Sequence, residues 1–165
     1  MRWLALLFAL ISAGCVTRMD KAGQMESTVD VKYLAKTEVD RIAETNRAEV
    51  MDGLMLIADK LYKRNPREWK KAGLASREAA LERLRNRFYR SLPELGGARE
   101  GKAANLAFTE SYEGDRVAAL MLGLLTMADA AFEHKEAYYI LDSLNETKLF
   151  NCARNMEVAV WKLGN

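Results

Sequence analysis

Several groups of residues in this chain are of types that do chemistry. Glu110, Glu113 and Asp115 stand close together just before Arg116. Two carboxylates a few ångströms apart can act as acid and base on a glycosidic bond, which makes Glu110 and Glu113 the candidate pair for a wall-modifying hydrolase. The same acids also suit the N-terminus of a following helix, where the dipole favours them, and Asp115 is placed to cap it. His134, the one histidine, belongs to no HExxH or ExxH pattern. Zinc and di-iron sites on helices draw on several such ligands, so neither a metal nor another cofactor is expected. A Cys–His pair would have to join His134 to Cys152, yet Cys152 lies in the series Leu149, Cys152, Ala153, Met156, Ala159, Val160, Leu163. That is the spacing of one helical face, where a cysteine behaves as a small inert hydrophobe. Gly96-Gly97 follows a helical pattern and opens no strand-loop-helix unit, so no phosphate loop is present. The residues point away from an enzyme.

The strongest binding signal is charge. Residues 60–102 hold 13 Lys and Arg against 5 Asp and Glu, whereas both flanking stretches are net acidic. The densest part is Lys60, Lys63, Arg64, Arg67, Lys70 and Lys71, interleaved with Tyr62 and Trp69. Such a segment attracts anions. Cations at a helix C-terminus also complement its dipole, and others pair with acidic neighbours.

The N-terminus bears on which anions are in reach. Met1-Arg2 supplies a positive charge, Trp3 to Ile11 form an unbroken apolar run, and Ser12-Ala13-Gly14 brings small side chains up to Cys15. This is the anatomy of an export signal, and the run falls short of the ~20 apolar residues of a membrane span. A thiol directly after Ser-Ala-Gly resembles the lipobox of bacterial lipoproteins, with Ser12 standing where Leu is usual. The resemblance implies that residues 1–14 are removed and that Cys15 is acylated, anchoring the chain to a membrane. Val16, in place of an Asp after the cysteine, implies the outer membrane, with the domain on its periplasmic face. There the anions are lipid phosphates, acidic wall polymer or an acidic protein face, and nucleic acid is not expected as a partner. The block Tyr62-Lys-Arg-Asn-Pro-Arg-Glu-Trp69, with Glu113-Gly-Asp-Arg116 and Ala159-Val-Trp-Lys-Leu163, resembles uncharacterised proteobacterial lipoproteins. That likeness implies no activity, and the abrupt Gly164-Asn165 leaves room for a longer chain.

The elements that would carry these residues are helical. The chain is 50% hydrophobic with two prolines, too apolar for disorder, and rich in helix-favouring aliphatics, Ala and Met. About 150 residues after the signal suit one domain. Residues 15–28 show no sustained period and are expected to be the lipidated cysteine and a flexible tether, ahead of a helical domain over 29–165. Val29, Val31 and Tyr33 alternate briefly, as a short extended piece would.

A first helix is expected from Thr37, with Asp40 as its N3 acid, to Asn65-Pro66, with Thr45-Asn46 as a point of weakness. Val39, Ile42, Ala43, Val50, Leu54, Ile57, Ala58 and Leu61 recur along it at three and four residues. A second helix follows Ser76 and buries Ala80, Leu81, Leu84, Phe88 and Leu92, and residues 93–107 read as a loop. A third begins at Asp115 and is apolar on all sides from Val117 to Phe132 except for Thr126 and Asp129. That marks a helix enclosed by others or by lipid, and its length favours a protein core over a span. Ser143 and Glu146 are spaced as a capping box for a last helix ending near Leu163, and Tyr138 to Leu141 are expected to be helical too.

The expected fold is all-α: a single domain of four or five helices bundled around residues 117–132. The expected function is that of an outer-membrane-anchored, non-enzymatic binding or structural component acting through the basic 60–71 segment and the adjoining arginine-rich helix. The alternatives are the hydrolase using Glu110 and Glu113, and a membrane-perturbing helical protein.

Overall fold

A computed structural model describes residues 16–19, 25–28, 36–87 and 92–164. The signal, Cys15, the Val29–Tyr33 alternation and Phe88 lie outside them.

The fold is all-α, with six α-helices among the described residues: α1 (Glu38–Arg64), α2 (Pro66–Lys71), α3 (Arg77–Arg87), α4 (Glu100–Leu106), α5 (Arg116–Ala131) and α6 (Glu146–Gly164). Two four-residue strands, β1 (Val16–Met19) and β2 (Met25–Thr28), pair antiparallel with Val16 opposite Thr28. They lie within the stretch read as a flexible tether, where no strand was expected. Each is too short to show a period, and β-branched Val16, Thr17 and Thr28 favour a pleated backbone.

α1 begins on the expected capping box. Asp40 Oδ2 accepts from the Thr37 amide at 2.7 Å, and Thr37 Oγ1 accepts from the Asp40 amide at 3.2 Å. The helix runs unbroken through Thr45, whose hydroxyl donates to the Arg41 carbonyl at 3.0 Å and so needs no partner outside the helix. Its inward stripe is Ala43, Leu54, Ala58 and Tyr62. Val39, Ile42 and Ile57, expected in the core, are instead 72%, 53% and 41% exposed, as is Leu56 at 55%. Two apolar stripes share α1, and only the one bearing the small alanines can approach α5 closely.

α5 is the centre. Every residue from Val117 to Ala131 except Ala130 is buried, and all five other helices touch it. Asp115 caps it through Oδ1, which accepts from the Ala118 amide at 2.8 Å. Protein encloses this apolar helix, and no described helix is long and apolar enough to cross a membrane. The closest approach is to α4, where a Cβ on Gly123 would stand 2.4 Å from the Ala104 amide nitrogen. Thr126 ties the same pair together. Its hydroxyl donates to the Leu122 carbonyl and accepts from the Glu100 amide, both at 2.8 Å. That amide opens α4, so a residue of α5 satisfies the start of a helix where a loop was expected. α2, also beyond the expected set, begins with Pro66, whose missing N–H costs nothing at a first helical position.

Two further expectations change at the other end. The cap of α6 is Asn145, whose Oδ1 accepts from the Lys148 amide at 3.0 Å, not Ser143; Asn caps as well as Ser and sits directly before the helix. Tyr138 to Leu141 form turns rather than helix, because their polar groups are held by distant partners. The Tyr138 amide donates to Glu44 Oε1 at 2.8 Å and its hydroxyl to the Phe132 carbonyl. In α6 the inward positions are Cys152 and Ala159, with Leu149 and Met156 half-buried, whereas Ala153, Val160 and Leu163 face solvent.

Glu44 joins this turn to α1 and to Lys36, whose Nζ lies 2.6 Å away. The lysine hydrogen bond is the chief cause that holds its carboxyl below the usual value of 4.5, with the Tyr138 amide adding to it. The folded state therefore binds this proton less tightly than the unfolded chain. The stabilisation is complete above the unfolded value and is lost as the pH falls through the lower folded one. Glu44→Gln should flatten the acid limb of stability against pH. Urea unfolding midpoints between about pH 3 and 5 that fall as steeply in the variant as in the parent would contradict this.

Candidate functional site

The basic segment is split between two jobs. Tyr62 is 1% exposed, and its hydroxyl donates to Asp115 Oδ2 at 2.8 Å. Burial, then the neighbouring Asp115 charge, raises the phenol's pKa, so it stays a donor. Burial also pushes the Asp115 carboxyl up, against the pull of the Ala118 amide and the Tyr62 hydroxyl. Glu68 Oε2 accepts from the Arg116 amide at 2.8 Å, while its Oε1 meets Lys71 Nζ at 2.8 Å. The first turn of α5 is therefore satisfied by Asp115 and by a carboxylate from α2. Trp69 is half-buried against the core, with Lys70 Nζ 5.4 Å from its ring centroid. Tyr62, Glu68 and Trp69 thus fasten the segment to the bundle, while Lys71 pairs with Glu68 inside α2.

The remaining cations face outward. Lys60, Lys63, Arg64 and Arg67 are exposed, as is Lys70. None of those four meets a carboxylate at ion-pair distance among the described residues. Lys60, Lys63 and Arg64 stand at i, i+3 and i+4 on one face of α1, and Arg67 follows across the Asn65-Pro66 break. Three arginines of α3 are different: Arg77 pairs with Asp59 at 3.1 Å, Arg83 with Glu94 at 2.8 Å and Arg85 with Glu82 at 3.2 Å. The expected continuation of the basic surface onto α3 is therefore largely neutralised.

The structure does not bring Glu110 and Glu113 into a cleft with Asp115. Both are exposed while Asp115 is buried, and what Arg116 reaches is the Glu110 carbonyl, at 3.1 Å.

A buried cluster at the other end of α5 was not legible beforehand. Asp129 is 1% exposed; its Oδ1 lies 3.2 Å from Arg47 Nη2 and its Oδ2 2.6 Å from His134 Nδ1. The chain reaches His134 through two consecutive left-handed residues, Glu133 at φ 58 and His134 at φ 57. Neither is a glycine, so each is held against a backbone preference. A carboxylate orienting an exposed imidazole is half of a nucleophile-activating arrangement. No hydroxyl or thiol among the described residues is hydrogen-bonded to His134. The available signal was Asp129 itself, since an acid in an enclosed helix needs a partner.

Cys152 is 7% exposed, and burial raises its thiol pKa. The thiolate is the reactive form, so a maleimide reagent should label Cys152 only after denaturant is added; rapid labelling of the folded chain would contradict its placement.

No group of three or more acidic, His or Cys side chains among the described residues is arranged to hold a metal. Comparison with protein-family models, with curated proteins and with solved structures finds no match.

Proposed function

We propose that this chain is a lipid-anchored, non-catalytic component of a bacterial envelope, tethered through Cys15 to the periplasmic face of the outer membrane. It docks an anionic partner through Lys60, Lys63, Arg64, Arg67 and Lys70. The observation that carries the docking is the outward presentation of the first four without carboxylate partners, beside residues that fasten the same segment to the core. Isolated surface cations are cheap, but a cluster on one helix face sums into a local field that attracts anions and suffers screening by salt. The lipobox-like run ending at Cys15 supports the anchor.

Replacing Lys60, Lys63, Arg64 and Arg67 with Glu leaves the Glu68, Trp69 and Lys71 contacts untouched. The expected result is a folded protein that keeps its fatty-acid label and loses its crosslinks in intact cells, to protein or to lipid. An unchanged crosslinking pattern would overturn the docking. Labelling that persists in Cys15→Ser would overturn the anchor.

A further inference from the structure

The cations are not alone on their face of α1. Leu56 and Ile57 are 55% and 41% exposed, and Lys60, Lys63 and Arg64 follow them at helical spacing on the same side, opposite the Leu54, Ala58 and Tyr62 stripe. Apolar surface thus leads, one turn further along, into basic surface. Nearer the N-terminus the same side bears Val39 and Ile42, 72% and 53% exposed, with Asn46 and Glu49 between the two apolar groups.

We infer that the C-terminal half of this outer face, Leu56 to Arg64, lies on an anionic phospholipid bilayer. The inference rests on the docking reading above and names its partner. Two features favour a bilayer over an acidic protein. First, protein hot spots are typically anchors seated in a pocket, whereas these aliphatic side chains stand on the exposed face of a helix. Helices lying in an interface bury such a face a few ångströms deep, with cations alongside at the headgroups. Second, the charge is complementary, because anionic headgroups attract clustered Lys and Arg near the surface. α1 follows the segment that leads from Cys15, so an acylated Cys15 would hold this face close to a leaflet. The anchor supplies residence on the membrane and the α1 face supplies orientation.

The test uses the full chain carrying Cys15→Ser, so that no acyl chain contributes, and compares variants within that background by co-sedimentation. Vesicles are phosphatidylcholine alone or with about one-third phosphatidylglycerol. The parent is expected on the anionic vesicles in excess of the zwitterionic ones. Replacing Lys60, Lys63 and Arg64 with Glu should weaken that excess at least tenfold. Replacing Leu56 and Ile57 with Ser should weaken it about tenfold with an unchanged far-ultraviolet spectrum, since both are exposed. Equal binding by the serine variant would show that the face does not enter the bilayer, overturning the inference while leaving the docking strip standing. Absence of anionic preference in the parent, with protein crosslinks in cells still lost on charge reversal, would assign the strip to an acidic protein and also overturn it.

Discussion

Asp129→Ala is expected to lower the unfolding free energy by about 3 to 5 kcal/mol, the cost of removing one member of a buried ion pair. The carboxylate lies within α5 and is 1% exposed, and the Arg47 side chain opposite it is only 11% exposed. Without Asp129 the guanidinium keeps Glu136 at 3.9 Å, but that carboxylate is 75% exposed and so well screened by water. His134 would also lose the 2.6 Å contact that holds its ring after the left-handed turn. Domains of this kind hold only about 5–15 kcal/mol in all, so a large part of the stability is at stake. A paired Arg47→Met, Asp129→Leu variant should recover much of the loss, because apolar replacements of both partners leave no stranded charge. Urea unfolding of Arg47→Met, of Asp129→Leu and of the double closes the cycle; additive losses would mean that Arg47 and Asp129 do not act as a pair.

The second large effect concerns Gly123, and its sign is the informative part. Ala is a better helix former than Gly by about 1 kcal/mol, so a mid-helix Gly→Ala change should stabilise wherever there is room. At Gly53 in α1 nothing lies within 4 Å of an added Cβ, and a gain approaching that value is expected. At Gly123 the added carbon would meet the Ala104 nitrogen at 2.4 Å, and the Ala104 Cβ and Glu100 carbonyl at 2.7 Å. Two of these are backbone atoms and the third a Cβ fixed to it, so α4 and α5 must separate. The Glu100–Thr126 bond would stretch with them. Overpacking of this kind costs about 1–3 kcal/mol. Gly123→Ala should therefore destabilise by about 2 kcal/mol, while Gly53→Ala moves the melting temperature upward. Shifts of the same sign would show that α4 does not press on α5 as described.

What could be read from the chain beforehand follows from the range of the interactions involved. The Thr37–Asp40 box, the Asp115 cap and the enclosure of residues 117–132 depend on neighbours within a few positions or on composition, and these expectations hold. α4 escaped notice because its first amide is met by Thr126, twenty-six residues away. The turn at Tyr138 escaped because Glu44 holds it from ninety-four residues back. In α1 the three-and-four spacing pooled two stripes, and nothing local separates Ala43 and Ala58, which face the core, from Val39 and Ile57, which face outward. The basic segment was visible as charge. Its division into fastened and presented residues was not, since Tyr62 and Glu68 are committed by Asp115 and the Arg116 amide, about fifty positions along the chain.

That fastening bears on how the strip would bind. The Asn65-Pro66 break could act as a hinge between Lys60, Lys63 and Arg64 on one side and Arg67 and Lys70 on the other. Instead Tyr62 is bolted to Asp115 just before it and Glu68 to the Arg116 amide just after. The backbone under all five cations is ordered by folding, so an anionic partner meets a preorganised array and need not supply the ordering entropy itself. Binding through such an array is expected to owe more to the fixed spacing of its charges than to their number.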